Sequence, residues 1–250
     1  MDFKDIPKKY RPIPFWSWNE KLSVDETIYQ VEEMHKAGIG GFFMHARGGL
    51  QTEYMGEEWF DNVEAAVTTA NKLGMRAWAY DENGWPSGFG NGEVNGLGIE
   101  YQQKYLRMEE TQEHLDSTIC KNGEHWFYYE VNPYYVDTLD EKVIKLFIEK
   151  IYEPYYEKFE GRLEGFFTDE PQISRNGIPW SFVFVEEYER RYAEDIKEHL
   201  EELFLEKGNY VKTRFQFWKM VTDLFSSAYM KQIYDWCSKR GMKLTGHLLM

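Results

Sequence analysis

The strongest constraint on the fold is a short unit that recurs along the chain. In three copies a lysine, any residue and a glycine precede an apolar stretch: HKAGIGGFFMH (35–45), NKLGMRAWAYD (71–81) and SKRGMKLTGH (238–247). KFEGRLEGFFTD (158–169) is a looser fourth copy. Glycine commonly ends a helix in the left-handed conformation, and lysine favours the negative end of the helix. The unit therefore predicts a helix that ends at the glycine, followed by a strand.

Helical patterns precede these glycines. Ser23 with Glu26, and Thr138 with Glu141, have the spacing of a capping box at a helix start. An apolar stripe advances by three or four residues from Trp218 to Trp236. With an opening strand in PIPFWSW, the sequence predicts five strands, near 12–18, 39–45, 75–81, 163–169 and 242–247.

Strands that alternate with helices predict a parallel sheet in an α/β fold. The strands are apolar on both faces, which is typical of a sheet covered on both sides. No GxGxxG follows the first strand, so a TIM-like (β/α)8 barrel is favoured over a doubly wound sheet. We predict a single domain over residues 1–250, an incomplete barrel of about five strands with insertions at about 84–137 and 171–208. The open barrel edge is expected to allow self-association.

Composition excludes several classes of protein. A formal net charge of −14 argues against nucleic acid as a partner, since a phosphate backbone needs clustered lysine and arginine. Cys120 and Cys237 lie far apart and lack CxxC spacing, which indicates neither a zinc site nor a disulfide framework. The sequence has no apolar run long enough to predict a membrane span, and its first residues do not resemble a signal peptide. A cytoplasmic location is therefore expected.

Polar and aromatic side chains collect where each predicted strand ends, which is where active sites lie in barrels of this kind. They are Trp16, Trp18 and Asn19 after the first strand, His45 and Arg47 after the second, Asp81, Glu82, Asn83 and Trp85 after the third, Asp169 and Glu170 after the fourth, and His247 at the fifth. A histidine at a strand end is more often structural, Asp-Glu-Pro is commonly a turn, and tryptophan is more often core than sugar platform. Their coincidence at five strand ends favours a functional cleft.

Carboxylates framed by aromatic rings suit glycoside hydrolysis, because one carboxylic acid protonates the leaving oxygen while rings pack on the sugar. Glu170 is the candidate catalytic acid. Asp169, on the opposite pleat face, is expected to orient a neighbour or bind a hydroxyl. The other strand-end residues are expected to bind a carbohydrate substrate.

Several stretches resemble glycoside hydrolase family 106, the α-L-rhamnosidase-like enzymes: PFWSWN, GIGGFFMHARGGLQTEYMGEEWFD, AWAYDENGWPSGFGNGEV, FFTDEP and TGH. The resemblance implies a TIM-like barrel that hydrolyses terminal L-rhamnose or a related deoxysugar in plant-type glycans, with inversion of configuration. It suggests Glu170 as the catalytic carboxylate and His45, Arg47, Asp81, Glu82 and His247 as pocket residues. It also suggests a bound calcium, although we identify no ligand set for it and expect no cofactor to be required from this segment. Members of the family are several times longer, and the second catalytic carboxylate is expected on a later strand.

Two alternatives remain open. One is a non-catalytic carbohydrate-binding protein or a truncated, inactive barrel, in line with the missing strands. The other is a metal-dependent hydrolase that uses His45, Asp169 and His247.

Overall fold

A computed structural model describes residues 6–111, 113 and 115–248. The strands are β1 (Phe15–Trp18), β2 (Gly41–Ala46), β3 (Arg76–Asn83), β4 (Gln102–Glu109), β5 (Thr118–Asn122), β6 (His125–Val136), β7 (Gly165–Asp169), β8 (Ile178–Trp180) and β9 (Lys243–His247). The α-helices are α1 (Val24–Lys36), α2 (Glu57–Leu73), α3 (Glu141–Phe147), α4 (Glu153–Phe159), α5 (Phe184–Tyr192), α6 (Leu200–Phe204), α7 (Tyr210–Leu224) and α8 (Gln232–Lys239). Wider π-helical turns cover Ile148–Tyr152 and Phe225–Lys231, and short 3₁₀ helices cover Lys8–Tyr10, Gly90–Gly92, Asn95–Leu97, Ile99–Tyr101, Leu115–Ser117 and Ile196–His199.

The described residues divide into two compact units. The first contains those within 1–91, 148–171 and 233–250, and the second contains those within 92–147 and 172–232. The sequence predicts one domain with two insertions, and those insertions fall mainly in the second unit.

The first unit contains a parallel sheet of five strands in the order β1-β2-β3-β7-β9. The parallel sheet and the positions of its five strands are confirmed. The first strand is shorter than predicted and begins after Pro14, since proline has no N–H to give to a sheet ladder.

The four repeated glycines do what the sequence predicts of them. Gly38, Gly74, Gly161 and Gly241 all have φ between 66° and 85°, the left-handed region. Gly74 caps α2 in this conformation, and its N–H bonds to the carbonyls of Ala70 and Asn71. Ser23 is at the N-cap position of α1, as predicted, but its side chain does not make the predicted capping hydrogen bond.

The parallel sheet is curled. The ring of Phe15 on β1 lies 4.8 Å from that of Phe167 on β7 and 6.3 Å from that of His247 on β9, measured between centroids. Neighbouring strands are about 4.8 Å apart, so these side chains would be well separated on a flat sheet. The curvature is of the kind that a barrel requires, and barrel closure stays a prediction.

The two faces of this sheet differ. Phe43, Trp78, Tyr80 and Phe167 form one aromatic cluster, and Phe15 packs on it. We call this side the aromatic face. Side chains on the alternate positions pack beneath helices, as where Trp18 meets Trp59 of α2 at 4.9 Å between ring centroids. We call this side the helix face.

The second unit holds a four-stranded antiparallel sheet in the order β5-β6-β4-β8. Its core contains Phe127 from β6, Phe184 from α5 and Phe217 from α7. The sequence predicts this region only as insertions. Its strands are short and of mixed polarity, and they do not follow the repeated glycine unit from which the other strands are predicted. Among the described residues of the chain, no helix has both the length and the apolar character needed to cross a membrane.

Candidate functional site

Strand alternation decides which predicted side chains share the aromatic face. His45 stands two residues after Phe43 on β2, Asp169 stands two after Phe167 on β7, and His247 is paired with Asp169 in the register of β9. A strand alternates its side chains between faces, so all three belong to the aromatic face. They lie at the carboxyl ends of their strands, as predicted.

Asp169 is the centre of a hydrogen-bonded chain. The Tyr80 hydroxyl donates to Oδ2 of Asp169 at 3.1 Å, and Nδ1 of His247 lies 3.0 Å from Oδ1. The Asp169 N–H donates to Oγ of Ser87 at 2.7 Å. Both carboxylate oxygens are therefore occupied, and the residue is only 7% exposed. Its geometry suits a residue that orients its neighbours.

Glu170 has a different environment from the acid beside it. Its φ is +50°, which L residues other than glycine adopt rarely, and its N–H donates to the carbonyl of His247 at 3.0 Å. Within the described part of the chain, its carboxylate has no hydrogen-bond or ion-pair partner. Unusual backbone conformations of this kind cluster at functional sites. The carboxylate is half-buried and free to act on a ligand.

His45 is buried and neutral at pH 7. Its ring packs on Tyr80, with 3.7 Å between ring centroids, and its Nε2 lies 3.2 Å from the carbonyl oxygen of Gly84. The pKa of His45 is lowered to about 4, chiefly by burial and in part by the Arg47 guanidinium, against the Gly84 carbonyl and Asp169, which raise it. A neutral ring that donates from Nε2 keeps Nδ1 as an acceptor. Arg47 itself is exposed.

The structure does not bring Asp81 and Glu82 into the open part of the site. Asp81 is fully buried and accepts hydrogen bonds from Ser87 Oγ and from the Tyr152 hydroxyl, both at 2.5 Å. Its burial raises its pKa to about 6, against these donors, which favour the charged form. Asp81 and Glu82 are neighbours in sequence, and each carboxylate accepts hydrogen bonds from groups of the protein itself.

Glu82 holds the loop 83–91, which we call the β3 loop. Its carboxylate accepts from the backbone N–H groups of four loop residues at 2.6–3.0 Å: Asn83, Gly88, Phe89 and Gly90. Burial raises the pKa of Glu82 to about 7, and the N–H donors work in the opposite direction. The loop that carries Trp85 is therefore fixed from beneath by a buried acid.

The remaining predicted residues divide by face and exposure. Trp16 and Trp18 lie on the helix face, where Trp16 packs on Phe42 and Trp18 is 2% exposed, so the structure does not bring them to the site. Trp85 is 49% exposed on the β3 loop, beside the Gly84 carbonyl that His45 contacts. Asn19 is exposed, and Asn83 donates from its amide to Asn91.

Sequence reasoning misses two residues of the site, Tyr80 and Ser87. Tyr80 follows Trp78 by two residues in AWAYD, so the two side chains share one face of the strand. This period of two is the sequence signal for a side chain on the same face as His45. Ser87 joins Asp81 to Asp169 across the sheet edge, a contact that no local pattern reveals.

Asp169, Glu170 and His247 each offer one atom to a group within 4.8 Å, a spacing that suits metal ligands. They do not fit calcium. Calcium takes six to eight oxygen ligands, whereas this set has one nitrogen, and the oxygens of Asp169 already accept from Tyr80 and His247. These three side chains therefore do not make a calcium site, and His45 lies outside the group.

Fold and site together define an α/β protein with a curled parallel sheet and a polar cluster at the carboxyl ends of its strands. A rhamnosidase from Novosphingobium sp. PP1Y has a similar solved structure, with a TM-score of 0.68 at 12% sequence identity. The similarity covers 99% of this chain and 47% of that one, so the chain spans about half the length of the protein it matches. At this identity the likeness shows the fold. No family model matches the sequence, and no curated protein matches it either.

Proposed function

We propose that the chain carries the catalytic acid of a glycoside hydrolase of the family 106 type, with a TIM-like barrel, which removes terminal L-rhamnose or a related deoxysugar from plant-type glycans. The observation that carries the proposal is the half-buried carboxylate of Glu170, which has no partner among the described residues and lies beside the ordered Asp169–His247 pair. The fold shared with a rhamnosidase and the sequence resemblance point in the same direction.

In this proposal Glu170 donates its proton to the glycosidic oxygen as the bond to the anomeric carbon breaks. His247 and Arg47 are exposed and able to bind sugar hydroxyls. The exposed ring of Trp85 offers a surface for the apolar side of a sugar, as does Phe15, which is 41% exposed.

Asp169 is unsuited to be the second catalytic carboxylate. Both of its oxygens already have side-chain partners, and one of them lies within 4.8 Å of an oxygen of Glu170. The two carboxyl groups of an inverting enzyme stand about 6.5–9.5 Å apart, and those of a retaining enzyme about 5–5.5 Å. We therefore assign Asp169 to orientation and expect the partner carboxylate, and with it inversion, to come from another element.

The test is hydrolysis, by the complete open reading frame, of an aryl α-L-rhamnoside whose leaving phenol is poorly acidic and so needs a proton donor. We expect Glu170→Gln to lower kcat by about 10²–10⁴-fold, because the amide group is not acidic enough to transfer a proton to the leaving oxygen. Glu157→Gln is the matched control, since Glu157 is exposed on α4 and undergoes the same chemical change. Full activity in Glu170→Gln contradicts the mechanism.

Two other functions are separated by the same assay. Rhamnose binding that survives Glu170→Gln, with no turnover by the unaltered protein, supports a non-catalytic binding protein. The second alternative is a metal-dependent hydrolase, and the observation in its favour is the close grouping of Asp169, Glu170 and His247. Loss of activity with a chelator, and recovery with a divalent metal, supports that alternative.

A further inference from the structure

Tyr80 is the buried end of a chain of hydrogen bonds that reaches the surface at His247. Tyr80 is 1% exposed and donates to one oxygen of Asp169, whose other oxygen faces Nδ1 of His247. The side chain of His247 is 57% exposed. The chain therefore links a fixed interior group to a ring that a ligand is able to touch.

Chemistry fixes the direction of each bond in this chain. Burial raises the pKa of Tyr80 well above its ordinary value, with the nearby acids Asp81 and Asp169 adding to the shift, so its hydroxyl stays protonated and donates. A carboxylate only accepts, so the His247 nitrogen that faces Asp169 must carry a hydrogen. In the neutral ring this is the Nδ1–H tautomer, and Nε2 is left without a hydrogen.

Two further contacts fix His247, one at its ring and one at its backbone. The ring packs nearly perpendicular to that of Phe167, with 5.0 Å between centroids, and the His247 carbonyl accepts from the Glu170 N–H. The same backbone bond places Glu170 beside the imidazole. A hydroxyl group that donates to Nε2 would thus lie close to the free carboxylate.

We propose that Tyr80 is a positioning residue which, through Asp169, holds His247 as the Nδ1–H tautomer and presents Nε2 as an acceptor for a hydroxyl group of the bound ligand. Asp169 belongs to this positioning chain, and His247 is the residue that touches ligand. The ligand class is a polyhydroxylated ring with a hydroxyl donor next to the group that Glu170 protonates. That the ring is L-rhamnose rests on the proposed function.

The tautomer is measurable without ligand or turnover. Long-range ¹H–¹⁵N correlation spectra at about pH 8, above the ordinary pKa of a histidine side chain, distinguish protonated from bare ring nitrogens. His247→Gln identifies the His247 signals among those of the six histidines. We expect a single Nδ1–H tautomer in the unaltered protein and a shift toward Nε2–H in Asp169→Asn, whose amide is able to donate to Nδ1.

Tyr80→Phe gives the decisive comparison. With only one of its two hydrogen bonds left, the Asp169 carboxylate should no longer hold one orientation, so the two His247 tautomers should both be populated. Tyr156→Phe is the matched control, since the Tyr156 hydroxyl also donates to a carboxylate, that of Glu160, at 2.6 Å. An unchanged tautomer in folded Tyr80→Phe overturns the role of Tyr80, and an Nε2–H or doubly protonated ring in the unaltered protein overturns the whole chain.

L-Rhamnose then tests the ligand contact. Its addition should move the ¹⁵N signal of Nε2 more than that of Nδ1, with a smaller response in Tyr80→Phe. If the tautomer is as expected and rhamnose moves neither signal, the sugar assignment is wrong, and with it the proposed function. If an aryl α-L-rhamnoside is hydrolysed while the tautomer differs from expectation, the positioning inference alone is overturned.

Discussion

At the scale of single residues, His45 shows how burial sets charge near the site. Its pKa is about 4 in the fold against an ordinary value of 6.5. Between these values the unfolded chain binds a proton that the folded chain does not bind. The free energy of unfolding must therefore fall as pH drops through this range, by up to about 1.4 kcal/mol per pH unit from this group.

His45→Phe removes this titration and keeps an aromatic ring on Tyr80. We expect urea unfolding between about pH 4.5 and 6.5 to give a steeper loss of stability on acidification for the unaltered protein than for the variant. Groups that titrate in both proteins cancel in the comparison. Parallel pH profiles would mean that His45 takes up its proton as readily in the fold as in the unfolded chain.

The sequence predicts His45, Asp169, Glu170 and His247 as neighbours because the repeated unit places each at the end of a parallel strand. It misplaces Trp16 and Trp18, which lie on the helix face. Both faces of these strands are apolar, so composition does not reveal which face a side chain takes. The partners of Asp169, Tyr80 and Ser87, come from β3 and its loop, and only the folded sheet brings them together.

At the scale of elements, the β3 loop depends on one buried acid. Glu82 accepts four backbone N–H groups of this loop, more than any other side chain that bonds to it, and the glycines of the loop give its backbone much conformational freedom to restrain. Glu82→Gln puts an NH₂ group where acceptor oxygens are needed. We expect it to cost about 2 kcal/mol or more of stability.

Urea unfolding measures that cost, and limited proteolysis followed by mass spectrometry locates the change. Cleavage should increase within 83–91 and not elsewhere. Glu93→Gln is the control for the same chemical change, because Glu93 is exposed. If Glu82→Gln is as stable and as resistant as Glu93→Gln, the loop is held by something other than this carboxylate.

The stretch ENGWPSGFGNG shows why the sequence does not predict this arrangement. Its glycines predict a loop, and Glu82 at its start reads equally well as a ligand-binding acid. The acceptor role follows only from a backbone path in which Gly88, Phe89 and Gly90 turn their N–H groups toward one oxygen. Local propensity carries no information about that path.

At the scale of the whole molecule, the parallel sheet has an outer strand, β9, that pairs with β7 on one side only in the described residues. The Lys243 N–H and the His247 carbonyl both bond toward β7. Because alternate residues of a strand direct their backbone groups to opposite sides, the N–H of Leu244 faces the free edge. Unpaired edges are templates for pairing with another chain.

We expect this edge to mediate concentration-dependent self-association of the 250-residue chain. Leu244→Pro removes a free-edge donor without removing one that β7 uses, and it should weaken association about tenfold, or about 1.4 kcal/mol. Light scattering across a concentration series measures the change. A chain that is monomeric throughout, or a variant that associates as strongly, argues against the edge as the contact.

The central claim is that Glu170 gives a proton to a departing glycosidic oxygen. A series of aryl α-L-rhamnosides whose leaving phenols span a wide range of acidity tests this most directly. Acidic phenols leave without a proton donor, whereas poorly acidic phenols need one. In Glu170→Gln, kcat/KM should fall only slightly for the most acidic phenol and by about 10²–10⁴-fold for the least acidic, which makes the dependence on leaving group much steeper than in the unaltered enzyme. An equal loss across the series, or none, would contradict the assignment of Glu170 as the acid.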